Sequence, residues 1–466
     1  MIVELAGFHP KLKKLGVLTF EDLLMMPFGR WGYNFILANM FVLAYGAMVA
    51  YLLIIKDTVP TVLRIAPGPS TGTFVERELV MVVASLIIIV PLAIQRDMAS
   101  LAFTSLLSVF ADALLVIFVG AFAPIKESVG AAGGLGPVIR HSTINSRLFI
   151  GLGILSTAMA CQHSAFIVSG SLENKTSARW ASVTFRSLTI ATVMCAILGI
   201  CGYLGYLNDT MGDILNNFDP KTMEANAART LLAITMFFTY PMESFVARHV
   251  LIKLFFDGDM DGHVINPSTG QSEVARPILG CLTRRHVWTL IIYVATLIPA
   301  LIVDDLGPVL SITGSIGGSC LCYLGPGLAY LGVNGDAFLA YFSTGARSGT
   351  KLSTPSSRDL PVEGNAHATI QIATVKELKK PWWWYPALMP IWASIASSGA
   401  AGMRERVAHY EQEHGLQEDP GGETIEACGR DFVISIFFIC FGMVAVVAGV
   451  LSNVYVQIHN VFFTPK

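Results

Sequence analysis

Polar and ionisable residues that interrupt apolar stretches are where this sequence could do chemistry. Asp112 lies inside the apolar run 103–124, Gln162 and His163 inside 148–168, and Glu243 inside 230–252. Burying such groups is costly, so each either pairs with another group or lines a path for an ion or solute. For Asp112 and Glu243 both readings stay open: structural pairing, or movement of an ion or proton. Cys161-Gln162-His163-Ser164 places consecutive polar residues in an otherwise apolar helix. A helix broken there frees main-chain groups for a substrate, provided that they face a cavity rather than lipid. Alternatively, Gln162 and His163 bond neighbouring helices. Glu243 follows a break expected at Thr239-Tyr240-Pro241.

Other patterns carry less. Gly68-Pro69-Ser70-Thr71-Gly72 has the spacing of a nucleophile elbow, which needs a strand-to-helix turn; here it follows a helix among prolines and reads as a plain turn. Gly130, Gly133, Gly134 and Gly136 have no preceding strand and no following Gly-Lys-Ser/Thr, so they read as a loop, not a phosphate cradle. Gly314-x-x-x-Gly318 is a small-residue helix-packing spacing. The eight cysteines lie mostly in apolar runs and form no C-x-x-C pair, which argues against a disulfide scaffold and a structural metal site.

The elements that must position these residues follow from composition. Of 466 residues, 53% are apolar and only 14% charged, against about a quarter charged in a soluble domain, and the mean hydropathy is +0.59. A formal charge of -2 provides no basic field for nucleic acid. The chain reads as an all-α, multi-pass membrane protein, because its apolar runs approach the ~20 residues a bilayer requires and lack the alternation of a barrel. Nine spans are expected near 33–55, 79–95, 103–124, 148–168, 187–206, 230–252, 286–304, 307–331 and 431–456. Lys and Arg are more frequent on the side of residues 1–32, which makes that side cytosolic and the C-terminus luminal or extracellular. The expected organisation is a cytosolic segment 1–32, a core of eight spans over 33–331, a cytosolic loop 332–430, a last span 431–456 and a luminal or extracellular tail 457–466. Within the loop, Trp382, Trp383, Trp384 and Tyr385 lead an apolar run through Ser398 that suits an interfacial or re-entrant helix.

Several strings together resemble the amino acid/auxin permease family. They are Tyr45-Gly46-Ala47-Met48 and Tyr51-Leu52-Leu53-Ile54-Ile55 with Asp57; Ala160-Cys161-Gln162-His163-Ser164-Ala165-Phe166 with Gly170-Ser171-Leu172-Glu173-Asn174; Thr235-Met236-Phe237-Phe238-Thr239-Tyr240-Pro241-Met242-Glu243; and Thr313-Gly314 with Pro326-Gly327 and Tyr330-Leu331. Within the family the likeness is to vacuolar and sodium-coupled neutral amino-acid transporters. It implies a leucine-transporter-type bundle of inverted repeats, with the nine spans matching the family's third to eleventh helices and Met1 to Phe8 the end of the second. An N-terminally truncated chain lacking the first two helices is therefore expected.

The resemblance also implies a function: secondary active transport of neutral amino acids by alternating access, coupled to H+ or Na+, with no enzymatic activity and no organic cofactor. The alternative is a transport-inactive amino-acid sensor or interaction protein. Its partners would be the neutral amino acid and the lipid bilayer, with no nucleic acid, and a vacuolar or lysosomal membrane is favoured over the plasma membrane. Cys161, Gln162, His163 and Ser164 correspond to the break of the family's sixth helix and are the substrate-binding candidates. There, main-chain N–H and C=O groups would take the amino acid's carboxylate and ammonium, with His163 bonding the ligand or changing protonation near neutral pH. Thr239 corresponds to a hydroxyl that helps hold sodium, though a helical threonine also bonds its own backbone. With Glu243 and Asp112 it completes the ion-coupling candidates.

The topology is tested by glycosylation. Asn208 in Asn208-Asp209-Thr210 falls on the luminal side and Asn174 in Asn174-Lys175-Thr176 on the cytosolic side. Expression in a eukaryotic cell should leave Asn174 unmodified, as read by glycosidase-sensitive mobility of single Asn→Gln variants; glycan on Asn174 would reverse the orientation.

Overall fold

The structure is a computed structural model that describes residues 2–9, 12–13, 15–63, 74–94, 102–141, 147–170, 172–174, 176–256, 263–265, 272–274, 283–346, 389–413 and 429–463. In chain order the helices are α1 (Ile2–Phe8), α2 (Phe20–Val62), α3 (Phe74–Ala93), α4 (Ala102–Phe122), α5 (Ile125–Ala131), α6 (Leu135–His141), α7 (Arg147–Ala158), α8 (Gln162–Gly170), α9 (Ser177–Tyr206), α10 (Met223–Phe256), α11 (Arg284–Ile302), α12 (Leu306–Thr313), α13 (Gly325–Val333), α14 (Gly335–Ala346), α15 (Met389–Glu413) and α16 (Gly429–Phe463). Two π-helical stretches, Gly314–Gly318 and Cys320–Leu324, join α12 to α13. The two short strands, His263–Ile265 and Ser272–Val274, pair antiparallel. The Gly68–Gly72 and Trp382–Tyr385 patterns lie outside the described residues.

Among the described residues seven helices are long and apolar enough to cross a membrane, or eight if the bent pair Leu106–Phe122 and Ile125–Ala131 is one span. The nine expected spans are therefore not all matched. Of the expected span 79–95, residues 79–93 fall within α3, whose first turns carry Glu76, Arg77 and Glu78 and leave too short an uncharged stretch. The expected break at Pro241 does not form: α10 is continuous from Met223 to Phe256, with the proline inside it.

The chain divides into two compact units. One comprises residues 1–36, 165–171 and 323–442; the other comprises 37–164, 172–322 and 443–466. In the first, α2 changes direction at Gly29, whose φ of 66° suits a residue without a Cβ. Arg406 donates to the carbonyl of Met26 at 2.8 Å beside this kink. Within 332–430, where a loop with one interfacial helix through Ser398 is expected, the described residues include α14 and α15, which pack on each other. Trp392, Ala396, Ala400 and Met403 recur at helical spacing and are all buried, while Arg404 and Glu405 face outward. Phe338 of α14 meets Phe432 of α16 edge-on, at 5.4 Å between ring centroids.

In the second unit, α10 packs on α3, α4 and α11, and α7 packs on α12 and the first π-helical stretch. The latter contact is at backbone distance. A Cβ at Gly314 would overlap the carbonyl of Gly153 and the hydroxyl of Thr157, and one at Gly317 would meet the backbone of Leu43 at 2.9 Å. Charged side chains fasten the helix ends. Buried Lys56 donates to the carbonyls of Ala300 (3.1 Å) and Val303 (2.7 Å) and to Asp304 (2.9 Å), so its three N–H bonds are all used at the C-terminal end of α11. Near the opposite end of α11, Arg248 of α10 donates to the carbonyl of Ala93 (2.9 Å) and the hydroxyl of Thr289 (2.8 Å).

Replacing Gly314 by Ala should destabilise the protein by about 1–3 kcal/mol, the usual consequence of overpacking. Gly199 of α9 has nothing within 4 Å of an added Cβ, and Gly199→Ala should leave the melting temperature of the detergent-solubilised protein nearly unchanged. Equal effects of the two substitutions would contradict the close-packing account.

Candidate functional site

A cavity of about 320 Å³ lies in the second unit. One face of α2 forms its long wall, through Leu43, Ala47, Ala50, Tyr51 and Ile54, which recur at i, i+4, i+7, i+8 and i+11. Ile154, Thr157 and Ala158 of α7 and Leu310 of α12 close the other side. The Thr157 hydroxyl donates to the carbonyl of Leu310 at 2.9 Å, tying these two walls together. The lining is mostly apolar, with Tyr51, Thr157, His163 and Glu243 as its polar side chains.

A helix break is present, but at residues 159–161 rather than over the expected Cys161 to Ser164: α7 ends at Ala158 and α8 begins at Gln162. Ala160 within the gap and His163 in the first turn of α8 both line the cavity. The sequence explains the interruption only in part, because Cys161 to Ser164 supply side chains that compete for main-chain bonds. The N–H groups in the gap are not free, however. Met159 donates to the Leu155 carbonyl (3.0 Å), Ala160 to that of Thr157 (3.2 Å), and Cys161 to the Gln162 side-chain oxygen (3.0 Å). That oxygen also accepts the thiol of Cys322 at 3.3 Å. The Ser164 hydroxyl donates to the Cys161 carbonyl at 3.2 Å. Of the four substrate-binding candidates, only His163 lines the cavity; Cys161, Gln162 and Ser164 shape the break.

His163 meets Glu243 across 80 residues of sequence, with Nε2 and Oε1 3.5 Å apart. The remaining atoms of the pair, His163 Nδ1 and Glu243 Oε2, are buried without a hydrogen-bond partner. A carboxylate oxygen accepts hydrogen bonds and an imidazole nitrogen donates or accepts one, so the pair offers complementary groups to a small zwitterion and can also hold a proton. Tyr51 was not singled out from sequence as a site residue, although it is a hydroxyl within an apolar run. It sits where both Glu243 and Asp112 act electrostatically on it. Asp112 itself is within hydrogen-bonding reach of Thr235 and does not line the cavity. Nor does Thr239, whose hydroxyl donates to its own helix at the Thr235 carbonyl, 2.7 Å away. Among the described residues no group of three or more His, Cys, Asp or Glu side chains is placed to hold a metal ion.

Comparison with known proteins now bears on this arrangement. The pattern of the transmembrane amino acid transporter protein family matches residues 1–340. The chain belongs to that family. A rat relative named "Putative sodium-coupled neutral amino acid transporter 11" is 29% identical over 323 residues, covering 68% of this chain and 65% of the relative. Yeast vacuolar amino acid transporter 2 is 28% identical over 247 residues, covering 52% of this chain and 51% of the relative. Human sodium-coupled neutral amino acid transporter 7 is 23% identical over 296 residues, covering 62% and 60%. The matched region thus spans just under two thirds of the rat relative's length. No solved structure matches the chain. This member of the family is a multi-pass membrane protein.

Coupling between His163 and Glu243 should be visible in stability. His163→Ala and Glu243→Gln should each lower the melting temperature, and the double variant should lose less than the sum of the two. An interaction of about 0.5–3 kcal/mol is the range for groups in contact. Additive losses would mean that the pair does not interact.

Proposed function

We propose that the chain is a secondary active transporter that carries a neutral amino acid by alternating access, in a leucine-transporter-type inverted-repeat bundle. The observation that carries this reading is the cavity at the α7–α8 break, mostly apolar but containing the partly unpartnered His163–Glu243 pair. A neutral amino acid has that same division: an ammonium and a carboxylate that need hydrogen bonds, and a side chain that needs none. The ammonium takes Glu243 Oε2, His163 serves the carboxylate, and the apolar wall of α2 receives the side chain. Gln162, Cys161 and Ser164 act by holding the shape of the break. The three relatives are named as amino-acid transporters, which supports the substrate class.

The coupling ion is H+ or Na+. The pair supports H+, since an imidazole and a carboxylate can exchange a proton within the cavity. Thr239 gives less support to Na+, because it lies off the lining, although its hydroxyl oxygen keeps lone pairs while its hydrogen is used within α10. The name of the yeast relative supports a vacuolar or lysosomal membrane.

Purified protein in proteoliposomes tests the proposal. Uptake of a neutral amino acid should respond to an imposed pH gradient, and Glu243→Gln should abolish that response while leaving folded protein near wild-type level. His163→Ala should weaken apparent substrate affinity about tenfold or more, equivalent to about 1.4 kcal/mol, with little change in affinity for Asp112→Asn. Uptake driven by a sodium gradient alone, unaffected by Glu243→Gln, would overturn proton coupling. Absence of saturable uptake under every gradient would overturn transport.

A further inference from the structure

The segment 207–222, between α9 and α10, is fastened to the second unit in a way that the transport site does not require. It contains two short 3-10 turns, Leu207–Asp209 and Ile214–Asn217. Leu215 and Phe218 insert into an apolar cluster with Leu115 and Val119 of α4 and Ala225 and Ala228 of α10. Arg229 of α10 donates to the carbonyls of Leu215 and Phe218, both at 2.8 Å, and to Asn226 at 3.0 Å. Asn216 reaches Asp57 at the end of α2 (3.3 Å), which is also paired with Arg77 of α3. Ile54, the last cavity-lining residue of α2, is one helical turn before Asp57. The segment's anchor on α2 is thus three residues beyond the cavity lining.

Asp213 is the anomalous group in this cap. Its Oδ1 accepts the Leu215 N–H at 3.0 Å and so starts the turn that delivers Leu215, but its Oδ2 is buried with no partner. A carboxylate with one oxygen solvated by nothing is unfavourable; a carboxylic acid tolerates the same place. The charges that face it are Asp57 from α2, which disfavours ionisation, and Arg229 from α10, which favours it. Arg77 neutralises Asp57 in part, and Asp219 of the segment itself acts on Arg229. From the α12 side, Asp305 is spent capping the Gly307 N–H at 3.0 Å.

We propose that residues 207–222 form a lid latched by a proton on Asp213: docked while Asp213 is neutral, loosened when it ionises. The direction follows from linkage. Burial, ahead of every other cause, pushes the Asp213 carboxyl up from 3.8 to about 6. A docked state that binds the proton more tightly than the open one is favoured at low pH and loses that advantage as pH rises through about 6. The docked-to-open ratio should thus fall by up to about 100-fold between pH 4 and pH 8, the shift of about two units converted to a ratio. An acidic compartment on the lid's side would hold it shut, and a neutral one would release it.

Hydrogen exchange of the full chain in lipid nanodiscs tests the latch, with protection of amides 211–220 corrected for intrinsic exchange from pH 5 to pH 8 and residues 231–240 of α10 as the internal reference. The wild-type lid should lose about tenfold in protection relative to the reference over that range, the part of the full fall that lies above pH 5. Asp213→Asn should keep high, pH-independent protection. If that variant does not fold, Asp213→Ser retains an acceptor for the Leu215 N–H without a titratable group and should behave the same way. A flat wild-type profile, or a neutral variant that follows the wild-type pH dependence, would overturn the proposal. Neither result depends on whether the cavity transports an amino acid.

Discussion

The backbone-to-backbone contact of Gly314 with Gly153, and of Gly317 with the Leu43 turn of α2, is the constraint on which the rest of the second unit depends. In lipid there is no hydrophobic drive between helices, so association rests on close packing and on hydrogen bonds that a small residue makes reachable. Here that approach brings the Thr157 hydroxyl to the Leu310 carbonyl and Asn453 to the Ser311 hydroxyl at 2.8 Å. It also sets the spacing between α2, α7 and α12, and a cavity remains where their small side chains stop filling it. The π-helical turns that follow Thr313 belong to the same region, and such wide turns recur at functional sites in helices.

Buried charge is used in two different ways. Lys56 is completely satisfied by three oxygens and holds the end of one helix against another. His163 and Glu243 each keep one buried atom without a partner. The first arrangement is what a structural charge requires. The second resembles a site held ready for a ligand, and Asp213 repeats it on a smaller scale outside the membrane-spanning helices.

Much of this organisation is legible in the sequence, because unbroken apolar runs announce spanning helices and a polar cluster within one announces an interruption. An interruption next to Cys161 and the intramembrane Glu243 both emerge that way, though the α7–α8 break itself falls at residues 159–161. The pairing of His163 with Glu243 does not, since nothing local links residues on two helices separated by 80 positions. Nor does the occupancy of the break: Gln162 looks like a ligand-facing amide, yet it folds back on the Cys161 N–H. The first half of the helix 389–413 is legible in the apolar run through Ser398, but its second half carries Arg404, Glu405 and Arg406, which read as loop until the buried stripe of Trp392, Ala396, Ala400 and Met403 is seen. Pro241 misleads in the other direction. Loss of one N–H does not break a helix whose neighbours α3, α4 and α11 hold it on several sides.

If the cavity between α2, α7 and α12 receives the amino acid, filling that cavity removes binding. Ala47 lines the wall of α2, so Ala47→Phe would place an aromatic ring in the space assigned to the substrate side chain. Equilibrium binding of a radiolabelled panel of neutral amino acids to the reconstituted protein should show saturable binding in the wild type. Ala47→Phe should lose it, with its melting temperature within a few degrees of wild type. Unchanged affinity in a folded Ala47→Phe protein would place the substrate elsewhere.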